Sequence, residues 1–157
     1  MLEQSAFARL DALRREHFPP ERNVLPAHLT LFHALPGDHQ ATIQGHLRLL
    51  CAATPVLSLH FPTLRLLGRG VAIAVEAPEL MLLRTQLATT WSTWLSAQDQ
   101  QGYRPHITIQ NKVTTEQARR LYAALASSWE PFRAVGQGLR LWRYLGGPWA
   151  LVDEYRL

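Results

Sequence analysis

Several common functional features are missing from this sequence. It has one cysteine, Cys51, so it can form neither an internal disulfide nor a CxxC metal site. No apolar run approaches the roughly 20 residues of a membrane-spanning helix, and acidic residues interrupt the N-terminal stretch where a signal peptide needs an apolar segment. None of GxxxxGK[ST], HExxH, GxSxG and GxGxxG occurs, so nothing supports an NTPase, a zincin, a serine hydrolase or a dinucleotide-binding protein. We expect a cytoplasmic protein with no membrane partner.

The composition is that of a folded domain with a positive charge. Hydrophobic residues make up 47% of the 157 residues and charged residues 18%, with no low-complexity run, which predicts a single domain over 1–157. Lys112 is the only lysine among 16 basic residues, and the net charge is +4. A basic chain favours an anionic partner such as nucleic acid or a phosphorylated substrate.

The spacing of apolar residues predicts both helices and strands. Helices are expected over about 5–16, 39–53, 79–98 and 115–128. Strands are expected over about 27–34, 56–67, 70–77, 104–111, 133–145 and 148–156. Asp38 is placed to cap the second helix, and Thr114 with Gln117 has the spacing of a capping box for the last one. The mixture predicts an α+β fold.

The order strand, helix, hairpin occurs twice along the chain. His28 precedes the turn glycine Gly70 by 42 positions, and His106 precedes Gly147 by 41. We interpret this as a weak internal duplication. It predicts two lobes, about 24–77 and 100–157, with mostly antiparallel sheets around a central cleft, helices on the outer faces and an N-terminal helix packed alongside.

A His-x-Thr tripeptide begins each half, in "HLTLFHAL" (28–35) and in "HITI" (106–109). One such tripeptide is weak evidence, but two in alternating strands that begin equivalent halves are not explained by chance. Because side chains alternate along a strand, His28, Thr30 and Phe32 should share one face of the first strand. The corresponding face of the second strand, if it stays extended, carries Arg104, His106, Thr108, Gln110 and Lys112.

These residue types suit the cleavage of a phosphodiester near neutral pH. The reaction needs a base for the attacking oxygen and an acid for the leaving oxygen, and imidazole can serve as either. We therefore expect His28 and His106 to be the catalytic pair. Thr30 and Thr108 can donate to the non-bridging oxygens, and Arg104 or Lys112 can offset the charge that develops there.

The stretches "HLTLFHALPG" and "YRPHITIQNKV" resemble the 2H (two-histidine) phosphoesterases, a family related to RNA 2′,3′-cyclic phosphodiesterases and 2′-5′ RNA ligase-like proteins. The resemblance covers about residues 24–157. It implies two α+β lobes around a cleft, with one HxT motif on each side and no metal or other cofactor. Many members carry a basic residue two or three positions after the second threonine, where this chain has Gln110 and Asn111. The third phosphate contact could thus be Lys112, Arg104 or a hairpin arginine such as Arg140.

The expected activity is hydrolysis of a cyclic phosphodiester, at a 2′,3′-cyclic nucleotide or an RNA terminus. Phe32 and Tyr144, the latter beside Trp142, are candidates for stacking a nucleobase. Two alternatives stay open: a 2′-5′ RNA ligase, and a module that binds RNA ends or phosphate without turnover. A nucleotide or RNA-terminal cyclic phosphate is the expected partner, RNA a further one, and a monomer is favoured.

Overall fold

The chain folds into four helices and seven strands. The computed structural model describes all 157 residues, and none of its helices is long and apolar enough to cross a membrane. The helices are α1 (Gln4–His17), α2 (Gln40–Ala52), α3 (Pro78–Thr90) and α4 (Thr115–Ala126). The strands are β1 (Leu57–Phe61), β2 (Leu64–Leu66), β3 (Val71–Ala74), β4 (His106–Gln110), β5 (Phe132–Gly136), β6 (Gly138–Tyr144) and β7 (Trp149–Arg156). The predicted α+β class is confirmed.

All strand pairs are antiparallel, and two of them, β1–β5 and β3–β4, join the two halves of the sequence. β1 pairs with β5, β2 pairs with β3 and β3 with β4, and β6 pairs with β7. The hairpin of the first half thus lies beside the motif strand of the second half. Each sheet except β6–β7 therefore combines strands from both halves of the sequence. Local spacing predicts where strands occur but does not specify which strands pair.

The three-stranded sheet and α1 form the support of the second motif. Ile107 and Ile109 of β4 are fully buried, as are Ile73 of β3 and Leu10 of α1. Helix α1 packs against β4. Burying apolar side chains of this size stabilises a fold by roughly 1.5–3 kcal/mol each. This packing fixes the inner face of β4, and the opposite face of the strand is left for His106 and Thr108.

One of the predicted helix boundaries is confirmed by the structure, and two differ from it. Thr114 and Gln117 form the predicted capping box at the start of α4. Asp38 does not cap α2, because a 3-10 turn, Gly37–His39, precedes the helix and no side chain caps it. Helix α3 ends at Thr90, eight residues before its predicted end. The next residue, Trp91, turns into the core and donates from Nε1 to Nδ1 of His46 at 2.9 Å.

The predicted strand over 27–34 is an extended segment with a single antiparallel bridge, between Leu29 and Ile107. The expectation of a regular strand is wrong, because side chains rather than a neighbouring strand bind much of its backbone. The Tyr103 hydroxyl donates to the Thr30 carbonyl, and the His33 N–H donates to Asp99. We call residues 28–34 the first motif segment below.

Candidate active site

The two His-x-Thr motifs lie side by side in the structure. Leu29 and Ile107 are directly opposite each other in an antiparallel bridge. In that register His28 lies opposite Thr108 and Thr30 lies opposite His106, with all four side chains on the face away from Leu29 and Ile107. The two histidines are then diagonal neighbours, a relation that places side chains about 7 Å apart in a sheet. The structure brings together the four residues that the motif pair singled out.

Both imidazoles are oriented in the same way. Nδ1 of His28 lies 2.7 Å from the Pro26 carbonyl, and Nδ1 of His106 lies 2.8 Å from the Arg104 carbonyl. A carbonyl can only accept a hydrogen bond, so Nδ1 carries a proton in each ring. Each Nε2 is therefore the atom that gains or loses a proton. The carbonyl two residues upstream fixes the tautomer in both motifs, which extends the internal duplication to the level of single hydrogen bonds.

The surroundings of His28 favour its neutral form. Burial lowers the pKa of His28, and the positive charges of Arg14 and of His106 lower it further. The hydrogen bond to the Pro26 carbonyl acts in the opposite direction and is weaker than the effect of burial. The other motif histidine, His106, is thus one of the charges that act on His28.

Asp99 holds the far end of the first motif segment. Its carboxylate, almost fully buried, accepts from the backbone N–H groups of His33 and Ala34, from Nδ1 of His33 and from the Ser96 hydroxyl, at 2.9–3.2 Å. Burial opposes ionisation of Asp99, but these hydrogen bonds outweigh it and hold its pKa below the usual range. The imidazole of His33 is paired with this carboxylate and is half exposed.

Tyr103 and Arg14 also support the motifs. The Tyr103 hydroxyl donates to the Thr30 carbonyl at 3.0 Å, and burial raises the Tyr103 pKa, so the phenol keeps the proton that it donates. Arg14 of α1 donates to the Thr108 carbonyl at 2.6 Å. Sequence reasoning missed Asp99, Tyr103 and Arg14. Asp99 and Tyr103 lie in a loop without periodicity, whereas the pair Asp11 and Arg14 could have been noticed as two charges at helical spacing on a packed helix.

A cavity of about 790 Å³ opens beside the first motif segment. Its walls come from that segment, from α2 and from the β6–β7 hairpin. His28 and Thr30 lie in its wall, whereas His106 and Thr108 do not. Most of the remaining wall is apolar, so the cavity offers room for an organic group beside His28 and Thr30.

The predicted stacking residues both line this cavity, in different surroundings. The Phe32 ring packs edge-on against Trp91, with centroids 5.2 Å apart, and the guanidinium of Arg84 lies 4.7 Å from the Phe32 ring centroid. Tyr144 is 59% exposed at the hairpin tip, where its ring centroid lies 4.9 Å from that of Trp149. Tyr144 therefore has a free ring face for a ligand, and Phe32 is mainly held by protein contacts.

The predicted cations lie at the edge of the site or beyond it. Arg104 is exposed, and its carbonyl orients His106. Strand β4 has a bulge at Ile109, which turns Gln110 into the interior, so Gln110 does not share the face of His106 and Thr108. Lys112 follows the end of the strand in a left-handed conformation (φ 63°), so the extended face does not reach it.

The hairpin arginine considered as an alternative, Arg140, is already paired. Its Nε lies 2.7 Å from Glu154 Oε1 across the β6–β7 ladder. The neighbouring Arg143 donates to the neutral amide oxygen of Gln40, so no carboxylate offsets its charge. No group of three or more His, Cys, Asp or Glu side chains comes close enough together to hold a metal ion.

Comparisons with known proteins show the family and the fold of the chain. A family model described as the 2′-5′ RNA ligase superfamily matches residues 2–148. This match includes α1, which the motif resemblance over about 24–157 had left out. The crystal structure of TT0787 of Thermus thermophilus superposes with a TM-score of 0.63 at 16% identity, over 99% of this chain and 93% of that chain. At this identity the likeness shows the fold alone. No curated protein matches the chain.

Proposed function

Since the chain belongs to the 2′-5′ RNA ligase superfamily, we propose that it is a phosphoesterase that hydrolyses a cyclic phosphodiester, at a 2′,3′-cyclic nucleotide or an RNA terminus. The observation that carries the proposal is the antiparallel register of the two motifs, in which each histidine lies opposite the threonine of the other motif. It gives two imidazoles with free Nε2 atoms and two hydroxyls on one face. Such a set supplies an acid, a base and two donors to one phosphate.

The cavity suggests how the substrate lies. A cyclic phosphate carries its sugar on the side of the leaving oxygen, and attack in line with that bond comes from the opposite side. The room for a sugar and base is next to His28, which supports placing the leaving oxygen there. We therefore assign His28 as the general acid and His106 as the general base.

In the proposed reaction, Nε2 of His106 removes a proton from water as the water oxygen bonds to phosphorus. The bond from phosphorus to the ring oxygen breaks, and that oxygen takes the proton from Nε2 of His28. The product is a phosphomonoester with a free neighbouring hydroxyl. The lowered pKa of His28 makes its imidazolium a stronger acid, and the negative charge of a bound phosphate favours that protonated form.

The remaining predicted residues have supporting roles in this proposal. The hydroxyls of Thr30 and Thr108 donate to the non-bridging oxygens. Arg104, exposed next to His106, is the proposed third phosphate contact, with Lys112 as the alternative. Tyr144 stacks on a base and Phe32 forms a wall of the base site. The proposed partner is an RNA end or a nucleotide, the proposed state is a monomer in the cytoplasm, and the reaction uses no metal.

The test is a panel of 2′,3′-cyclic and 3′,5′-cyclic nucleotides, of an ADP-ribose cyclic phosphate and of an RNA with a 2′,3′-cyclic end, all in excess chelator. We expect turnover of a 2′,3′-cyclic substrate, with one phosphomonoester isomer as the product. Activity that disappears in chelator and returns with an added divalent cation would contradict the metal-independent mechanism. Binding without turnover of any substrate would favour a module that captures RNA ends.

A second candidate function is 2′-5′ ligation of RNA ends, which the description of the matching family favours. In that reaction a 5′-hydroxyl in place of water would bond to phosphorus and one ring oxygen would leave, with no nucleoside triphosphate. Incubating an RNA with a 2′,3′-cyclic end together with a 5′-hydroxyl RNA distinguishes the two. A joined product with a 2′-5′ linkage supports ligation, and the phosphomonoester alone supports hydrolysis.

A further inference from the structure

The guanidinium of Arg14 in α1 joins the chain just before the first motif segment to β4. Its Nε donates to Asn23 Oδ1 at 2.8 Å and to the Leu25 carbonyl at 3.0 Å, and Nη1 donates to the Thr108 carbonyl at 2.6 Å. The ring of Phe18 covers the guanidinium, with Cζ 4.1 Å from the ring centroid. Arg14 as a whole is only 5% exposed. A buried arginine with three fixed acceptors is held rigidly, since its planar fork leaves little freedom.

A second contact from the same helix reinforces this arrangement. Asp11, one turn before Arg14, accepts from the backbone N–H of Ala27 at 2.8 Å, directly before His28. Helix α1 therefore binds the chain on the N-terminal side of His28 at three residues, Asn23, Leu25 and Ala27, and binds β4 at Thr108. The Leu29–Ile107 bridge is the one backbone bridge between the motifs. Arg14 and Asp11 thus add side-chain links from α1 to this single bridge.

We propose that Arg14 is a positioning residue for the paired-histidine reaction, since its guanidinium ties the chain just before the first motif segment to β4 and places a fixed positive charge near His28. The kinetic consequences of this inference rest on the proposed function. Its effect on the pKa of His28 can be measured in the free protein, without substrate. Nε and Nη1 of Arg14 are bound to protein acceptors, and through these two nitrogens it acts on the chain before His28 and on Thr108 rather than on a phosphate.

The charge of Arg14 acts on His28 together with a small set of other groups. His106 of β4 is the second group whose charge lowers the pKa of His28. On the cavity side, the titratable and charged groups are the amino group of Met1, Tyr144, Arg143, His33, which is paired with Asp99, and Arg140, which is paired with Glu154. Removal of the positive charge at position 14 should therefore raise the pKa of His28, because one of the two named cationic influences is gone.

Arg14→Lys and Arg14→Gln separate the geometric part of this role from the electrostatic part. Lysine keeps the charge but cannot donate to Leu25 and Thr108 with a planar fork. Glutamine removes the charge as well. Arg119→Gln is the matched control, since Arg119 is exposed on α4. The measurements are kcat and KM for a 2′,3′-cyclic nucleotide, corrected for the folded fraction, and the NMR titration of His28 in the free protein.

We expect Arg14→Lys to lower kcat about 100-fold with KM nearly unchanged, the loss that a displacement of about 1 Å in the catalytic geometry causes. The His28 titration should stay near its wild-type position. Arg14→Gln should lower kcat similarly. It should also raise the pKa of His28, so the limb of the pH profile of kcat/KM that reports the titration of His28 should move to higher pH. Arg119→Gln should change neither quantity.

Wild-type kcat in folded Arg14→Lys protein would overturn the proposal, and so would an unchanged His28 titration in folded Arg14→Gln protein. If Arg14→Gln does not fold, the kcat of Arg14→Lys decides. If the wild-type protein turns over no cyclic phosphate, the proposed function fails. The His28 titration in the two variants still tests the role of Arg14 in that case, because it needs no substrate.

Discussion

Asp99→Asn should destabilise the protein through the first motif segment. The carboxylate accepts four different donors: the N–H groups of His33 and Ala34, Nδ1 of His33 and the Ser96 hydroxyl. Asparagine keeps one acceptor oxygen and replaces the other by an amide NH2, which cannot accept. One or two buried donors are then left unpaired, each at a cost of about 1–3 kcal/mol. We expect the free energy of unfolding at pH 7 to fall by about 2–4 kcal/mol.

The pH dependence of this effect has a definite sign. The pKa of Asp99 is lower in the folded protein than its ordinary value of 3.8, so the ionised carboxylate contributes stability above that value. This contribution is lost as the pH falls through the folded-state pKa. The difference between wild type and Asp99→Asn should therefore be full at neutral pH and shrink in acid below about pH 3.8.

Urea denaturation of both proteins at several pH values between neutral and acidic measures this difference. Asp38→Asn is the control, since Asp38 is exposed and caps no helix, and it should change the free energy of unfolding by less than about 0.5 kcal/mol. An Asp99→Asn protein as stable as wild type at pH 7 would show that the carboxylate does not hold the segment in this way, as would a deficit that does not depend on pH.

Two further predictions concern catalysis and packing. His28→Ala should lose about 100- to 10,000-fold in kcat on a 2′,3′-cyclic substrate but much less on a nitrophenyl phosphodiester, because that leaving group needs no acid. His106→Ala should lose similar factors in kcat on both substrates. Equal losses on both substrates for His28→Ala would rule out the role of His28 as the acid. Gly70→Ala should destabilise by about 1–3 kcal/mol, because its Cβ would lie 2.1 Å from the Gln110 carbonyl oxygen. Gly45→Ala, with open space in α2, should instead stabilise by about 0.5–1 kcal/mol in thermal unfolding, and a loss there would contradict the packing described.

The elements that local chemistry determines were predictable from the sequence. The capping box at Thr114 and Gln117 sets the start of α4 through contacts within four residues of each other. The apolar periodicity of α1 and α2 placed both helices within about a residue of their observed ends. The alternation in "HITI" predicted a strand with Ile107 and Ile109 inward, and both are fully buried. The family inferred from the two motifs is also confirmed.

The features that depend on distant partners were not predictable in this way. The alternating pattern of "HLTLFHAL" is that of a strand, but loop residues Asp99 and Tyr103, some 70 positions away, bind its backbone instead. The bulge at Ile109 removes Gln110 from the cleft face, and no propensity signals it. Charged residues on an amphipathic helix are ordinarily assigned to solvent, so Arg14 escaped notice although it is buried against both motifs.

The proposed mechanism requires that His28 and His106 together carry out the proton transfers of a phosphodiester cleavage. Its decisive test is the turnover of the best 2′,3′-cyclic substrate by His28→Ala and by His106→Ala, in excess chelator, with substrate binding measured on the same samples. We expect each substitution to reduce kcat by about 100- to 10,000-fold while binding is largely retained. Wild-type turnover in both variants would mean that the two histidines do not catalyse the reaction.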